Sequence, residues 1–255
     1  MLLRAALTSF RRGETLAAQP VSSTLDVSLQ HLAAYSSVCG FGLRDALPVT
    51  YPHVLGFPLQ MKLMTGSGFP FPLPGLVHVA NRVTQSRPLT VDEPLEITVS
   101  ARDLRPHPQG TQVDVVTSVS GVWEGVSTYL RRTGGASGSG EELQRPTGSA
   151  VWRVPADIGR RYGAVSGDRN PIHLHPLGAK VFGFKRAIAH GMWTKARCVA
   201  ALEGRLPEAV TVDVRFKKPL FIPGRVEFSA RENTDGWEFA VWSKGPHLLG
   251  TTSTP

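Results

Sequence analysis

Residues 162–173 read YGAVSGDRNPIH, and residues 187–192 read AIAHGM. Within the first stretch, Gly167-Asp168 and Asn170-Pro171 are turn signals. On these signals alone, the stretch is a loop with an Asx-turn and has no role beyond the fold. Its titratable side chains support a second interpretation, in which the loop is part of an active site.

A carboxylate and an imidazole lie close together in this stretch. Asp168 precedes His173 by five positions, with a proline between them, so that a stiffened loop can aim both side chains at one place. A carboxylate and a histidine with separated pKa values can move protons to and from water. Gly191 then begins a predicted helix, whose first N–H groups are free and favour developing negative charge. These groups are the minimum needed to add water across an activated double bond.

The flanking sequence predicts a helix followed by strands. Residues 192–206 are rich in helix-forming residues, and Pro207 follows them. From Val210 to Phe216, apolar and polar residues alternate, which is typical of a half-buried strand. A helix followed by antiparallel strands predicts a sheet wrapped around a helix. The other predicted strands are 226–228 and 237–242 in the second half, and 113–116 and 119–129 in the first half.

A stretch rich in glycine and serine divides the chain. It reads TGGASGSGEELQRPTGSA and predicts a flexible linker. The predicted organisation is an N-terminal unit at 1–132, the linker at 133–150 and a C-terminal unit at 151–255. Weak matches between the two halves recur in the same order, which predicts a duplicated unit. They pair 35–40 with 162–167, Arg87-Pro88-Leu89 with Lys218-Pro219-Leu220, and 95–102 with 226–231.

The motif in the second half resembles the hydratase 2 signature of the MaoC-like family, which is Asp-x-Asn-Pro-x-His followed by Ala-His-Gly. Members of this family adopt the hot dog fold, a central helix wrapped by an antiparallel sheet, and many carry two such units. The resemblance implies an α+β fold of two hot dog units in tandem, packed as an internal pseudo-dimer. The matching residues are Asp168, Asn170, Pro171, His173, Ala189, His190 and Gly191, with Tyr162, Ser166 and Gly167 also as the signature expects.

The resemblance also implies an activity. It is that of a hydro-lyase of fatty acid metabolism, which reversibly hydrates trans-2-enoyl thioesters to (R)-3-hydroxyacyl thioesters. Asp168 and His173 are then the predicted catalytic residues, while Gly191, Asn170 and Ser166 stabilise an oxyanion or position the substrate. The predicted substrate is an acyl-CoA or acyl-carrier-protein thioester, and no cofactor or metal is implied. The alternatives are an acyl-thioesterase, although hot dog thioesterases generally lack this loop, and a non-catalytic acyl-binding hot dog protein.

The first half departs from the signature where the chemistry lies. Phe41-Gly42-Leu43 stands where the second half has Asp168-Arg169-Asn170, and no Asp/His pair follows at the right spacing. The resemblance therefore implies that the first unit keeps the scaffold and has lost the chemistry. Apolar residues around Met61 and Met64 either line a pocket for an acyl tail or form a core helix, and flexible methionines suit both roles.

A zinc site is an alternative interpretation of the same side chains. His173 and His175 form a His-x-His pair, His190 follows in the chain, and Asp168 is the fourth candidate ligand. No cysteine lies near them in the sequence, and the family that the motif resembles is metal-free. The sequence therefore predicts no metal. For His190, a buried histidine satisfied by backbone groups is favoured over contact with the substrate.

Composition limits the partners. The chain has 255 residues and a formal net charge of +8, which attracts acidic partners. The basic residues are scattered and no helix is densely basic, which argues against nucleic acid. Arg215, Lys217 and Lys218 end a predicted strand, where they either meet the phosphates of coenzyme A or an acidic carrier protein, or form a solvated strand edge.

Cysteine content and the chain's beginning bear on its compartment. Two cysteines, Cys39 and Cys198, make neither a disulfide framework nor a zinc set, which predicts a reduced, cytoplasmic setting. The basic start of the chain makes the mitochondrial matrix the alternative, if that segment is a presequence. No uninterrupted apolar run long enough to cross a bilayer occurs, so membrane insertion is not predicted.

Overall fold

A computed structural model describes residues 15–134, 147 and 150–255. The first unit contains strands β1 (Val21–Leu25), β2 (Leu76–Gln85), β3 (Leu95–His107), β4 (Gly110–Val119) and β5 (Trp123–Arg132), with helices α1 (Leu29–Cys39) and α2 (Tyr51–Thr65) between β1 and β2. The second unit contains β6 (Ala150–Val154), then helices α3 (Ile158–Ser166), α4 (Pro171–Leu174), α5 (Pro176–Val181) and α6 (Gly191–Ala201), and then β7 (Val210–Phe216), β8 (Gly224–Asn233), β9 (Gly236–Trp242) and β10 (Pro246–Ser253).

The strands of both units form one sheet, and its order shows the duplication. The order is β1-β3-β4-β5-β2-β7-β10-β9-β8-β6. Each strand of the first unit has its counterpart five numbers later, and the second half of the order repeats the first half in reverse. The units join through antiparallel pairing of β2 with β7, from Ala80 opposite Arg215 to Gln85 opposite Val210. Two hot dog units in tandem, as predicted, are confirmed.

Backbone contacts outside the strands repeat as well. The N–H of Leu47 donates to the carbonyl oxygen of Leu89 at 2.8 Å, and the N–H of Ala189 donates to that of Leu220 at the same distance. Leu89 and Leu220 occupy matching places in the sequence repeat, so this weak repeat aligns equivalent positions of the fold. The contact matters for the site because it anchors the chain directly before α6.

A buried lysine bonds to both β2 and β7, the paired strands that form the seam between the units. Lys195 lies on α6 with no exposed surface. Its Nζ donates to the carbonyl oxygen of Asn81 at 3.1 Å, to Oδ1 of the same residue at 2.6 Å and to the carbonyl oxygen of Val212 at 3.0 Å. Burial lowers the pKa of Lys195 to about 7. Since Asn81 lies on β2 and Val212 on β7, the Lys195 side chain connects α6 to both central strands.

The structure differs from the sequence-based expectation at the end of α6. The helix predicted to reach Leu206 ends at Ala201, because tight turns follow and Gly204 adopts a left-handed φ of +78°. Most of the predicted linker at 133–150 lies outside the described residues, and Ala150 already belongs to β6. The exact unit boundaries therefore stay a prediction.

Residues 1–14 lie outside the described part, so the question of a presequence, and with it the compartment, stays a prediction. Among the described residues, none of the helices has both the length and the apolar character needed to cross a membrane.

Candidate active site

The loop that carries Asp168 is shaped by local hydrogen bonds. Helix α3 ends at Ser166, and Gly167 adopts a left-handed φ of +75°, which glycine tolerates best. The N–H of Asp168 donates to Oγ of Ser166 at 3.2 Å, and Oδ1 of Asp168 accepts from the N–H of Asn170 at 3.1 Å. Asn170 in turn caps α4 by accepting from the N–H of Ile172 at 3.3 Å. The predicted turn is present, and it fixes the position of the Asp168 carboxylate.

His173 is buried and oriented by the backbone. Its Nδ1 lies 2.8 Å from the carbonyl oxygen of Ile188. A carbonyl oxygen accepts but cannot donate, so the proton of the neutral ring is on Nδ1 and Nε2 keeps a lone pair. Burial lowers the pKa of His173, and the nearby charge of Asp168 opposes this effect in part. The ring is therefore a neutral imidazole whose free nitrogen can accept a proton.

His190 forms the third member of the group. It precedes α6, and its ring stacks on that of His173 with 3.7 Å between centroids. Its Nε2 lies 3.0 Å from the carbonyl oxygen of Asp168 and 3.7 Å from a carboxylate oxygen of the same residue. Burial is the main cause that lowers the pKa of His190 to about 3, and the neighbouring His173 adds to this effect. Nδ1 of His190 is buried without a hydrogen-bond partner among the described residues. The sequence-based expectation of a histidine satisfied by backbone groups therefore holds for Nε2 and not for Nδ1.

The three side chains converge on one point. Ligand-type atoms of Asp168, His173 and His190 all lie within 4.8 Å of one another. Such a group can hold a water molecule, and its geometry would also admit a metal ion. Backbone carbonyls already engage one nitrogen of each ring, which leaves one nitrogen per ring for any ligand. His175, the other candidate ligand from the sequence, instead caps α5, since its Nδ1 accepts from the N–H of Leu177 at 3.2 Å.

Gly191 opens α6 directly beside this group. The first N–H groups of a helix have no partner within the helix and attract negative charge. A Cβ at position 191 would lie 3.0 Å from the ring of Phe216, a tighter approach than ordinary van der Waals contact. Glycine therefore allows the ring of Phe216 to pack closely against the N-terminus of α6.

The first unit braces the loop from the other side. Nε2 of His31, on α1, lies 2.8 Å from the carbonyl oxygen of Val165, close to the end of α3. A Cβ at Gly167 would lie 3.5 Å from the ring of Phe57, on α2. The Asp168 charge also acts on His53 of the first unit and raises its pKa against the effect of burial. No local sequence pattern signals these contacts, because each depends on how the two units pack.

The equivalent place in the first unit has different chemistry. There the hydroxyl of Tyr35 lies 2.8 Å from Oγ1 of Thr50, the residue before α2. Thr50 precedes α2 as His190 precedes α6, and in the sequence repeat Phe41 corresponds to Asp168. Burial raises the pKa of the neighbouring Cys39 to about 12, so this thiol stays protonated. The first unit carries no acid/base pair at this described position.

Comparison with known proteins agrees with the motif and the fold. The MaoC-like domain family model matches residues 140–238. The 3-hydroxyacyl-thioester dehydratase X of Mycobacterium tuberculosis is 41% identical over 242 residues, which are 89% of this chain and 86% of that protein. The crystal structure of HtdX from the same organism superposes with a TM-score of 0.82 at 39% identity, covering 93% of this chain and 100% of that one.

A more distant likeness concerns the fold alone. Another Mycobacterium tuberculosis protein, described as a double hotdog fold, superposes with a TM-score of 0.57 at 12% identity, covering 97% of this chain and 99% of that one. The shared strand arrangement, the loop motif and the close relative together place this chain: it belongs to the MaoC-like dehydratase family.

Proposed function

We propose that the chain is a hydro-lyase of fatty acid metabolism that interconverts trans-2-enoyl thioesters and (R)-3-hydroxyacyl thioesters. The observation that carries this proposal is the convergence of the Asp168 carboxylate and the His173 imidazole beside the N-terminus of α6. The relative named 3-hydroxyacyl-thioester dehydratase X supports the reaction class. The direction of the reaction follows the concentrations of the two thioesters, since one site catalyses both directions.

In the hydration direction, Asp168 and His173 hold one water molecule between them. Nε2 of the neutral His173 takes a proton from this water as its oxygen bonds to C3 of the enoyl group. The same proton then passes to C2, so that hydrogen and hydroxyl add to one face. Asp168 stabilises the imidazolium that exists between the two transfers, as a carboxylate beside a catalytic histidine does elsewhere.

During this attack, negative charge develops on the thioester oxygen, and a hydrogen-bond donor is needed to stabilise it. The N–H of Gly191 is proposed to donate to the thioester oxygen, where the helix N-terminus favours the developing negative charge. Ser166 and Asn170 are proposed to act as positioning residues. Their hydrogen bonds to the backbone of Asp168 and Ile172 support this role, because they hold the loop in the shape that aims the carboxylate.

The thioester carrier is proposed to be coenzyme A or an acyl carrier protein, both of which bear phosphate. Arg215, Lys217 and Lys218 are exposed on and just after β7, and they adjoin Phe216 in the sequence. Their charge suits a phosphate group outside the site. We also propose that the two units act as an internal pseudo-dimer, because β2 pairs with β7 across the middle of the sheet.

The rival function from the same fold is thioester hydrolysis. A 12:0-ACP thioesterase from Umbellularia californica superposes with a TM-score of 0.56 at 11% identity, which is a likeness of fold alone. Crotonyl-CoA distinguishes the candidates in one assay. A hydro-lyase consumes the enoyl absorbance without releasing thiol, a thioesterase releases free thiol, and a binding protein does neither. A loss of enoyl absorbance that is matched by an equal release of free thiol would overturn the proposal.

A further inference from the structure

A group of buried polar side chains in the first unit has no role in the reaction described above. Gln60, on α2, has no exposed surface. Its Nε2 donates to Oγ1 of Thr117 at 3.0 Å and lies 3.3 Å from both the carbonyl oxygen and Nδ1 of His53. The carbonyl oxygen requires a donor, so the amide nitrogen is on that side. Oε1 of Gln60 is therefore an acceptor, and it has no partner in the described part of the chain.

His78, on β2, presents a second unused acceptor. Its ring packs between those of Tyr129 and Phe216, with centroid distances of 4.7 and 4.9 Å. One ring nitrogen forms a hydrogen bond with the backbone of Ala80. This bond raises the pKa of His78, so the ring nitrogen is the donor in it. Burial has the larger, opposite effect and lowers the pKa of His78 to about 3. The other nitrogen, Nε2, is shielded from solvent and unpaired among residues that the structure describes.

His53 supplies a donor to the same group. Its Nδ1 accepts from Gln60, so the proton of its neutral ring is on Nε2. Burial lowers the pKa of His53 to about 4, which keeps the ring neutral near pH 7. Its ring lies parallel to that of His78, with centroids 6.4 Å apart. Donor and acceptor atoms thus occur together in the interior of the first unit.

This group adjoins the candidate active site. The ring of Phe216 contacts His78 on one side and borders Gly191 on the other. The charge of Asp168 reaches both His53 and Tyr129, since it raises the pKa of each. From Gly191, the polar group therefore lies directly behind the ring of Phe216.

We propose that Gln60, His53 and His78 form a specificity site for a hydroxyl group carried on the acyl chain of the substrate. A hydroxyl both donates and accepts, so it can satisfy an unpaired acceptor and the imidazole donor at once. A plain alkyl chain at this place leaves the buried acceptors unpaired, which is unfavourable. This inference rests on the proposed function and narrows its substrate class to hydroxylated enoyl thioesters.

The test compares trans-2-enoyl-CoA substrates of equal length, either unsubstituted or with one hydroxyl at successive positions beyond C4. For the full-length protein, at least one hydroxylated substrate should have a kcat/KM about tenfold above the unsubstituted one, as one hydrogen bond in a buried site provides. Gln60→Leu should abolish this preference. Gln85→Leu is the matched control, because Gln85 is a buried glutamine on β2 that bonds to the carbonyl oxygen of Glu208 instead.

The outcomes separate this inference from the proposed function. Normal turnover of unsubstituted substrates without preference for any hydroxyl position overturns the specificity site alone, and the acceptors then bind only buried water. A preference that survives Gln60→Leu overturns it too. If Gln60→Leu does not fold, His78→Phe decides in the same way, since it keeps the ring packing and removes Nε2. Failure to turn over any enoyl thioester overturns the proposed function and this inference together.

Discussion

Replacing Asp168 by asparagine should slow hydration of an enoyl thioester by a hundredfold or more while the fold stays intact. The amide keeps the shape of the side chain and can still accept from the N–H of Asn170, so the loop retains its Asx-turn. What disappears is the negative charge beside His173 at the moment when that ring becomes an imidazolium. The variant therefore isolates charge from shape.

The size of the effect follows from the geometry. Atoms of Asp168 and His173 lie within 4.8 Å of each other. At an effective dielectric constant of about 20, two unit charges at that distance attract by about 3.5 kcal/mol, which corresponds to several hundredfold in rate. The carboxylate is 31% exposed, and solvent screening reduces the value toward a hundredfold. Loss of an acid/base group in other enzymes falls in the same range, roughly a hundredfold to ten-thousandfold.

The assay follows the loss of enoyl absorbance with crotonyl-CoA, and circular dichroism with thermal melting checks the fold. Asp157→Asn is the matched control, because Asp157 precedes α3 without a side-chain capping bond and lies outside the cluster. Turnover close to that of the unmodified protein in a folded Asp168→Asn variant would refute the reasoning. The loop would then be a turn only, as its glycine and proline first indicate.

The free energy of unfolding should rise between about pH 5 and pH 7, because burial lowers the pKa of His190 and His78 from 6.5 to about 3, so that only the unfolded chain takes up these protons. Urea titrations that give equal midpoints at both pH values would contradict this. Lys195→Met strips the donor from both oxygens of Asn81 and should lower the free energy of unfolding by about 2–4 kcal/mol, whereas an unchanged urea midpoint would show that the seam does not need it. Met61→Trp should shift preference toward shorter acyl chains in a kcat/KM series, and a loss of stability alone would favour the core interpretation.

The sequence predicted the local part of the site well. Asp168 and His173 belong to one short loop, so their proximity depends on turn chemistry that glycine, asparagine and proline signal directly. Alternation from Val210 to Phe216 likewise predicted the strand β7 with its observed bounds. Strand β10 has no such signal, because its threonines, serine and glycine alternate with little hydrophobic contrast.

Contacts between the units could not be predicted. His31 and Val165 are 134 positions apart, and Lys195 and Asn81 are 114 apart. Each pair meets only after β2 has paired with β7. No residue in either pair carries a local pattern that identifies its partner. The polar group around His53 was missed for the same reason, since its nearness to the active site is a property of the assembled sheet.

The pairing of β2 with β7 has a consequence for biosynthesis. When the first unit has emerged from the ribosome, β2 is paired with β5 along one edge. Its other edge stays unpaired until β7, which begins at Val210, has been synthesised. An unpaired edge attracts foreign strands, and domains tend to fold as they are made. The nascent first unit therefore passes through a period of vulnerability to aggregation that ends with the arrival of β7. For the same reason, we expect that a fragment holding the second unit alone would be a poor substitute for the full chain.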